Sequence, residues 1–167
     1  MSIRESWQGI LARNLLLAIL FGGSFSSTAI GATPASVAEC VTGGDEIRLN
    51  LIIEGLRNAE GTVSIAVYGD APEDFLAKGK KLRKLRLPAQ AGSIRGCLAL
   101  PRPGIYAVTA YHDEDGDRHF TRNFLGLPME GVAVSNNKAQ LGIPSFKEAA
   151  ISVNQTNSQI TLKMHYP

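Results

Sequence analysis

Residues 47–54 read Ile-Arg-Leu-Asn-Leu-Ile-Ile-Glu, and every second position, Ile47, Leu49, Leu51 and Ile53, is a branched aliphatic. Side chains of an extended chain alternate between two faces, so this spacing buries one face and turns Arg48, Asn50 and Glu54 to the other. The stretch reads as a half-buried strand. Val63, Ile65 and Val67 repeat the pattern after the turn signal Glu60-Gly61. Ile94, Cys97 and residues 98–100 (Leu-Ala-Leu) supply another strand, and Pro101-Arg102-Pro103-Gly104 turns into Tyr106, Val108 and Ala110, which alternate with Ala107, Thr109 and Tyr111. Ile160, Leu162, Met164 and Tyr166 close the series. Helical signals are confined to residues 72–76, where Pro72 precedes Glu73 and Asp74, and to residues 145–150. Strands spaced by about 10 to 20 residues with one or two short helical turns predict an all-β fold, a single antiparallel β-sandwich.

The chain of 167 residues is long enough for one ordinary domain. It is 44% hydrophobic and 19% charged, which excludes a disordered polyelectrolyte. Its 17 basic and 15 acidic residues leave a formal charge of +2, so no nucleic-acid partner is expected.

Residues 1–32 read as a secretory signal peptide. Arg4 and Arg13 precede an apolar core at residues 15–21 (LLLAILF), and small residues with several cleavage options follow between 29 and 38. The apolar run breaks at Gly22-Gly23, well short of the roughly 20 residues that a membrane anchor needs. The domain organisation expected is therefore signal peptide 1–32, a linker 33–45 that carries Cys40, and a β-sandwich 46–167, in an exported protein, periplasmic or secreted. In that oxidising setting Cys40 and Cys97 predict one structural disulfide; two buried free thiols are the competing reading.

Two features stand above the strand pattern. Residues 78–86 (KGKKLRKLR) contain Lys78, Lys80, Lys81, Arg83, Lys84 and Arg86 with no acid. They suit an envelope component or another anionic surface, or else the charged edge of a sheet that discourages edge-to-edge pairing. The second feature is residues 112–137, a loop of more than 12 residues with little periodicity, which in a compact domain usually has a use. Its candidate ligand residues are His112, Asp113, Glu114, Asp115, Asp117, Asn123, Glu130 and Asn136. Asp113, Asp115 and Asp117 alternate as carboxylates do around calcium, a hard cation that takes 6 to 8 oxygens, with Glu114, Asn123 or Glu130 able to extend the shell. The spacing departs from the EF-hand, because glycine stands fourth and Phe124 stands twelfth. An acidic turn without metal uses the same residues equally well. His112 and His119 add possible nitrogen donors.

The same loop carries a family resemblance. Tyr106-Ala107-Val108, His112-Asp113-Glu114-Asp115, Asn123, Leu125-Gly126-Leu127-Pro128, Glu130-Gly131, Ser135-Asn136-Asn137 and Pro144-Ser145-Phe146, with Gly61-Thr62-Val63 and Phe75 upstream, resemble the bacterial domain-of-unknown-function family 2141. Asp115 stands where that family usually has Asn, and Val132-Ala133-Val134 where it often has an aromatic residue and glycine. The resemblance implies a sandwich of the immunoglobulin or transthyretin kind, in small exported proteins without an established activity, and no catalytic residue. Enzyme signatures such as GxSxG, HExxH, GxxxxGK[ST] and GxGxxG are absent from the sequence. The function expected is an exported, non-catalytic binding or accessory protein of the cell envelope that works through the acidic loop. A purely structural or interaction module without ligand is the alternative, and a small carbohydrate-active or metal-dependent enzyme a more distant one.

Overall fold

The computed structural model describes residues 40, 46–126, 128–137, 144–155 and 157–167. The chain divides into two units, Met1–Ala32 and Thr33–Pro167, and the described residues all belong to the second. The expected signal peptide, 1–32, and all of the expected linker, 33–45, except Cys40 lie outside them. Among the described residues no helix is long and apolar enough to cross a membrane.

Among the described residues, eight strands form two sheets: β1 (Ile47–Leu56), β2 (Thr62–Tyr68), β3 (Arg83–Pro88), β4 (Gly92–Leu100), β5 (Gly104–Asp113), β6 (Gly131–Val134), β7 (Ala150–Val153) and β8 (Asn157–Lys163). One sheet has the order β4-β1-β8, the other β3-β2-β5-β6, with β7 sharing the β6 edge of β5. The expected β-sandwich is therefore present, and the inner faces of both sheets meet in one apolar cluster. As the central strand of its sheet, β1 is covered on both flanks, and Ile47, Leu49, Leu51 and Ile53 are all buried, as their alternation predicts. The Glu60-Gly61 turn leads out of one sheet into the other rather than closing a hairpin. Gly61 is required there, since its φ is +64° and a Cβ would overlap the Asp113 carbonyl oxygen.

One feature departs from the antiparallel expectation. β1 and β8 run parallel, Leu51 opposite Ile160 and Ile53 opposite Leu162, while the other strand pairs are antiparallel. Period-two patterning reports which face a strand buries but not the direction of its neighbour, so the parallel pair has no local signature. The short elements expected at 72–76 and 145–150 are a 3₁₀ turn, Pro72–Asp74, and one helical turn, α1 (Phe146–Ala149), which opens with a capping box between Ser145 and Glu148. Phe75 packs edge-on against both Tyr68 and Phe146, covering the outer face of the larger sheet at the end remote from the acidic loop.

Beyond β8 the tail crosses to the other sheet. The backbone of His165 exchanges two hydrogen bonds with Val132 of β6, at 2.8 and 2.9 Å, and so closes one side of the sandwich. Cys40 and Cys97 form a disulfide, which fastens the segment before β1 to β4. Closing that loop stabilises the fold by about 4 kcal/mol on the chain-entropy account.

Candidate functional site

The last two residues of β5 part company. His112 lies opposite Val63 on the core side, whereas Asp113 lies opposite Thr62 on the outer side, and both are fully buried. The His112 Nε2 is 2.8 Å from the Glu60 carbonyl oxygen, which only accepts, so Nε2 carries the proton. Nδ1 then accepts from the Tyr166 hydroxyl at 2.7 Å, and that hydroxyl accepts from the Arg57 backbone N–H at 3.2 Å. Both ring nitrogens are therefore engaged inside the fold. His112 does not supply the nitrogen ligand that its position in the sequence suggests. Gly131 gives the Tyr166 ring its space, because a Cβ there would run into the ring.

Asp113 is held on the other face by the Arg118 backbone N–H at 3.2 Å, with Thr62 Oγ1 and Arg86 Nη1 each 3.4 Å from Oδ2. Asp115 Oδ1 accepts from the Asp117 backbone N–H at 3.1 Å, and Asp117 Oδ1 from that of His119 at 2.6 Å, two successive Asx turns. Gly116 and Arg118 adopt φ of 72° and 67°, which curls the segment so that its alternate carboxylates converge. Glu130 enters from the far end of the loop, just before β6. Its Oε2 accepts from the Thr121 backbone N–H at 3.1 Å, while its buried Oε1 has no hydrogen-bond partner among the described residues. Asp113, Asp115, Asp117 and Glu130 each bring a carboxylate oxygen to within 4.8 Å of the others. Burial, with the charges of the three aspartates added, pushes the Glu130 carboxyl above the ordinary carboxylate range.

The other candidate residues are not part of this constellation. Glu114 turns the opposite way into a two-pronged pair with Arg57, Nε to Oε1 at 2.8 Å and Nη2 to Oε2 at 2.5 Å, and also accepts from Asn58 Nδ2 at 2.6 Å. The Arg57 guanidinium keeps that carboxyl below the usual range, and itself lies 4.5 Å above the Tyr166 ring. Asn123 caps its own turn, Oδ1 accepting from the Leu125 N–H at 3.0 Å. Asn136 spans the edge between α1 and β7, donating to the Glu148 and Ala150 carbonyls at 2.9 Å each. His119 Nδ1 lies 2.8 Å from the Asp117 carbonyl oxygen.

Within the loop, Met129 N–H donates to the Thr121 carbonyl at 3.0 Å and Arg122 forms a β-bridge with Pro128, so these two pairs pinch the chain into a small lobe. Its tip exposes Phe124 at 95% and Leu125 at 68%, and Met129 at its neck is 54% exposed. The basic run lies on β3, at the edge of the larger sheet, and the preceding turn. Lys80 pairs with Asp74, Arg83 with Glu46 and Arg86 with Asp113. Arg57 and Tyr166 escaped the sequence reading. For Tyr166 a signal existed, since a tyrosine that continues the inward-facing alternation of Leu162 and Met164 needs a polar partner for its hydroxyl.

A family model described as "Uncharacterized protein conserved in bacteria (DUF2141)" matches residues 52–161. No curated protein matches the sequence. Among solved structures, a fimbrial assembly protein from Parabacteroides distasonis ATCC 8503 is similar at 9% identity with a TM-score of 0.38, over 71% of this chain and 52% of that one. This chain thus spans about half the length of that protein.

Proposed function

The chain belongs to the uncharacterized bacterial family DUF2141, and from that premise we propose that it is an exported, non-catalytic binding or accessory protein of the cell envelope whose working surface is the connection between β5 and β6. One observation carries the reading: Phe124, Leu125 and Met129 are held out in solvent by a loop whose two ends, Asp113 and Glu130, are buried. Large apolar side chains exposed on one loop gain free energy when a partner removes them from water. The Cys40–Cys97 disulfide supports export, since such bonds persist in oxidising compartments. The engagement of His112 and Glu114 in internal pairs supports a non-catalytic role, because it leaves neither as a ready acid or base.

The double variant Phe124→Ser/Leu125→Ser tests this in the full chain. It removes only exposed apolar surface, so the melting temperature should stay unchanged. Wild type should remain with the envelope fraction after osmotic shock, and the variant should appear in the released fraction. Equal partitioning of the two would refute docking through the tip. A second reading, a purely structural module, is favoured by the inward use of Ser135, Asn136 and Asn137, which all bond backbone groups of neighbouring elements. Under that reading the two proteins partition alike.

A further inference from the structure

We propose that Asp113, Asp115, Asp117 and Glu130 form a calcium site that pins the base of the β5–β6 loop to the sandwich. This deepens, and for its biological consequence rests on, the reading of that loop as the working surface. Two independent observations carry it. The first is convergence. Oxygens on opposite sides of a calcium ion, each at its usual 2.3–2.6 Å, are at most about 4.6–5.2 Å apart. The four carboxylates bring oxygens within 4.8 Å of one another, inside the span that one calcium ion bridges. The second is the orphaned Glu130 Oε1. Glu130 is 6% exposed, and this oxygen has no hydrogen-bond partner among the described residues although Oε2 is bonded to Thr121. A buried carboxylate oxygen left unpaired is costly, and a cation bound among these four carboxylates removes that cost.

The chemistry of the set selects the ion. All four side chains are hard oxygen donors, which suits calcium or magnesium rather than zinc, with its preference for nitrogen and sulfur. Four carboxylates are more than magnesium normally takes, because it sheds its waters reluctantly. Arg86, 3.4 Å from Asp113, offsets one of the four charges. Asp115 and Asp117 are exposed, so the ion enters from solvent on their side, while Asp113 and Glu130 form the buried floor. Glu130 lies 13 residues beyond Asp117 and joins the site only because the loop folds back on itself.

Equilibrium dialysis of the oxidised protein against calcium chloride, after stripping with a chelator, tests the proposal directly. One calcium per chain is expected, with a dissociation constant of order 10⁻⁴ to 10⁻³ M, as in extracellular modules. Asp115→Asn/Asp117→Asn keeps both Asx-turn oxygens and alters only exposed positions, so it should fold as wild type does and bind at least tenfold more weakly. Glu130→Gln keeps an acceptor for Thr121 and should weaken binding similarly. Magnesium should bind at least tenfold more weakly than calcium. No binding up to about 10 mM calcium, equal binding by wild type and the Asp115/Asp117 variant, or equal affinity for magnesium would each overturn the assignment. Dialysis reads the ion alone and envelope partitioning reads the tip alone, so either idea can fail while the other stands.

Discussion

The Tyr166 hydroxyl joins the C-terminal tail to the foot of the acidic loop. It donates to the His112 Nδ1 and accepts from the Arg57 backbone, so removing it leaves a fully buried imidazole nitrogen unpaired. Tyr166→Phe should therefore lower unfolding stability by about 1–3 kcal/mol, read from urea denaturation at neutral pH. Burial holds the phenol pKa above its ordinary value of 10.0, a shift that the Arg57 N–H partly opposes. A proton held more tightly in the folded state contributes stability that is fully present below the unfolded pKa and is lost as pH rises through the folded one. Wild type should accordingly lose stability above about pH 10 more steeply than Tyr166→Phe. Parallel alkaline limbs for the two proteins would contradict this role. At this scale the sequence was only half legible. It marks His112, Glu114 and Asn136 as polar residues of a loop, but whether such a group faces an ion, the core or a neighbouring backbone depends on partners 12 to 57 residues away.

Among the elements, the turn after β6 acts as a seam between the two sheets. Asn137 donates to the Thr161 carbonyl at 2.7 Å and accepts from the Lys163 N–H at 2.6 Å, on the edge of β8 away from β1, as a neighbouring strand would. Its φ of 50° lies in the left-handed region, where asparagine and glycine are tolerated best. Two variants separate these roles. Asn137→Gly keeps the backbone geometry and loses both bonds, which should cost about 1–3 kcal/mol. Asn137→Ala should cost about 1–2 kcal/mol more, through the strained φ. Equal stability of Asn137→Gly and wild type in chemical denaturation would show the seam to be dispensable. The longer strands are legible in the sequence because three or four alternating apolar positions in a row identify a buried face. β6 and β7 are four residues each, with only two or three alternations, and neither stands out from the loops beside it.

For the molecule as a whole, export and the disulfide bear on each other. The proposed cleavage between residues 29 and 38 would remove the apolar leader and leave Cys40 in the mature chain, where it joins Cys97 on β4. N-terminal sequencing of the periplasmic product of the full chain should begin within that window. Its intact mass should be about two units below the reduced form, one bond's worth of hydrogen. Retention of Met1 in the membrane pellet would contradict export by cleavage. The fold class followed from the sequence alone, because alternation of aliphatic and polar residues is a local property of an extended backbone and needs no partner to be read. The convergence of Asp113, Asp115 and Asp117 was half visible for the same reason, since their spacing lies within one turn. The parallel pairing of β8 with β1, the passage of the tail onto β6 and the arrival of Glu130 beside the aspartates were decided only by the tertiary structure. Each joins segments far apart in the chain, and the free energy that selects such a pairing comes from packing the assembled sandwich rather than from either segment by itself.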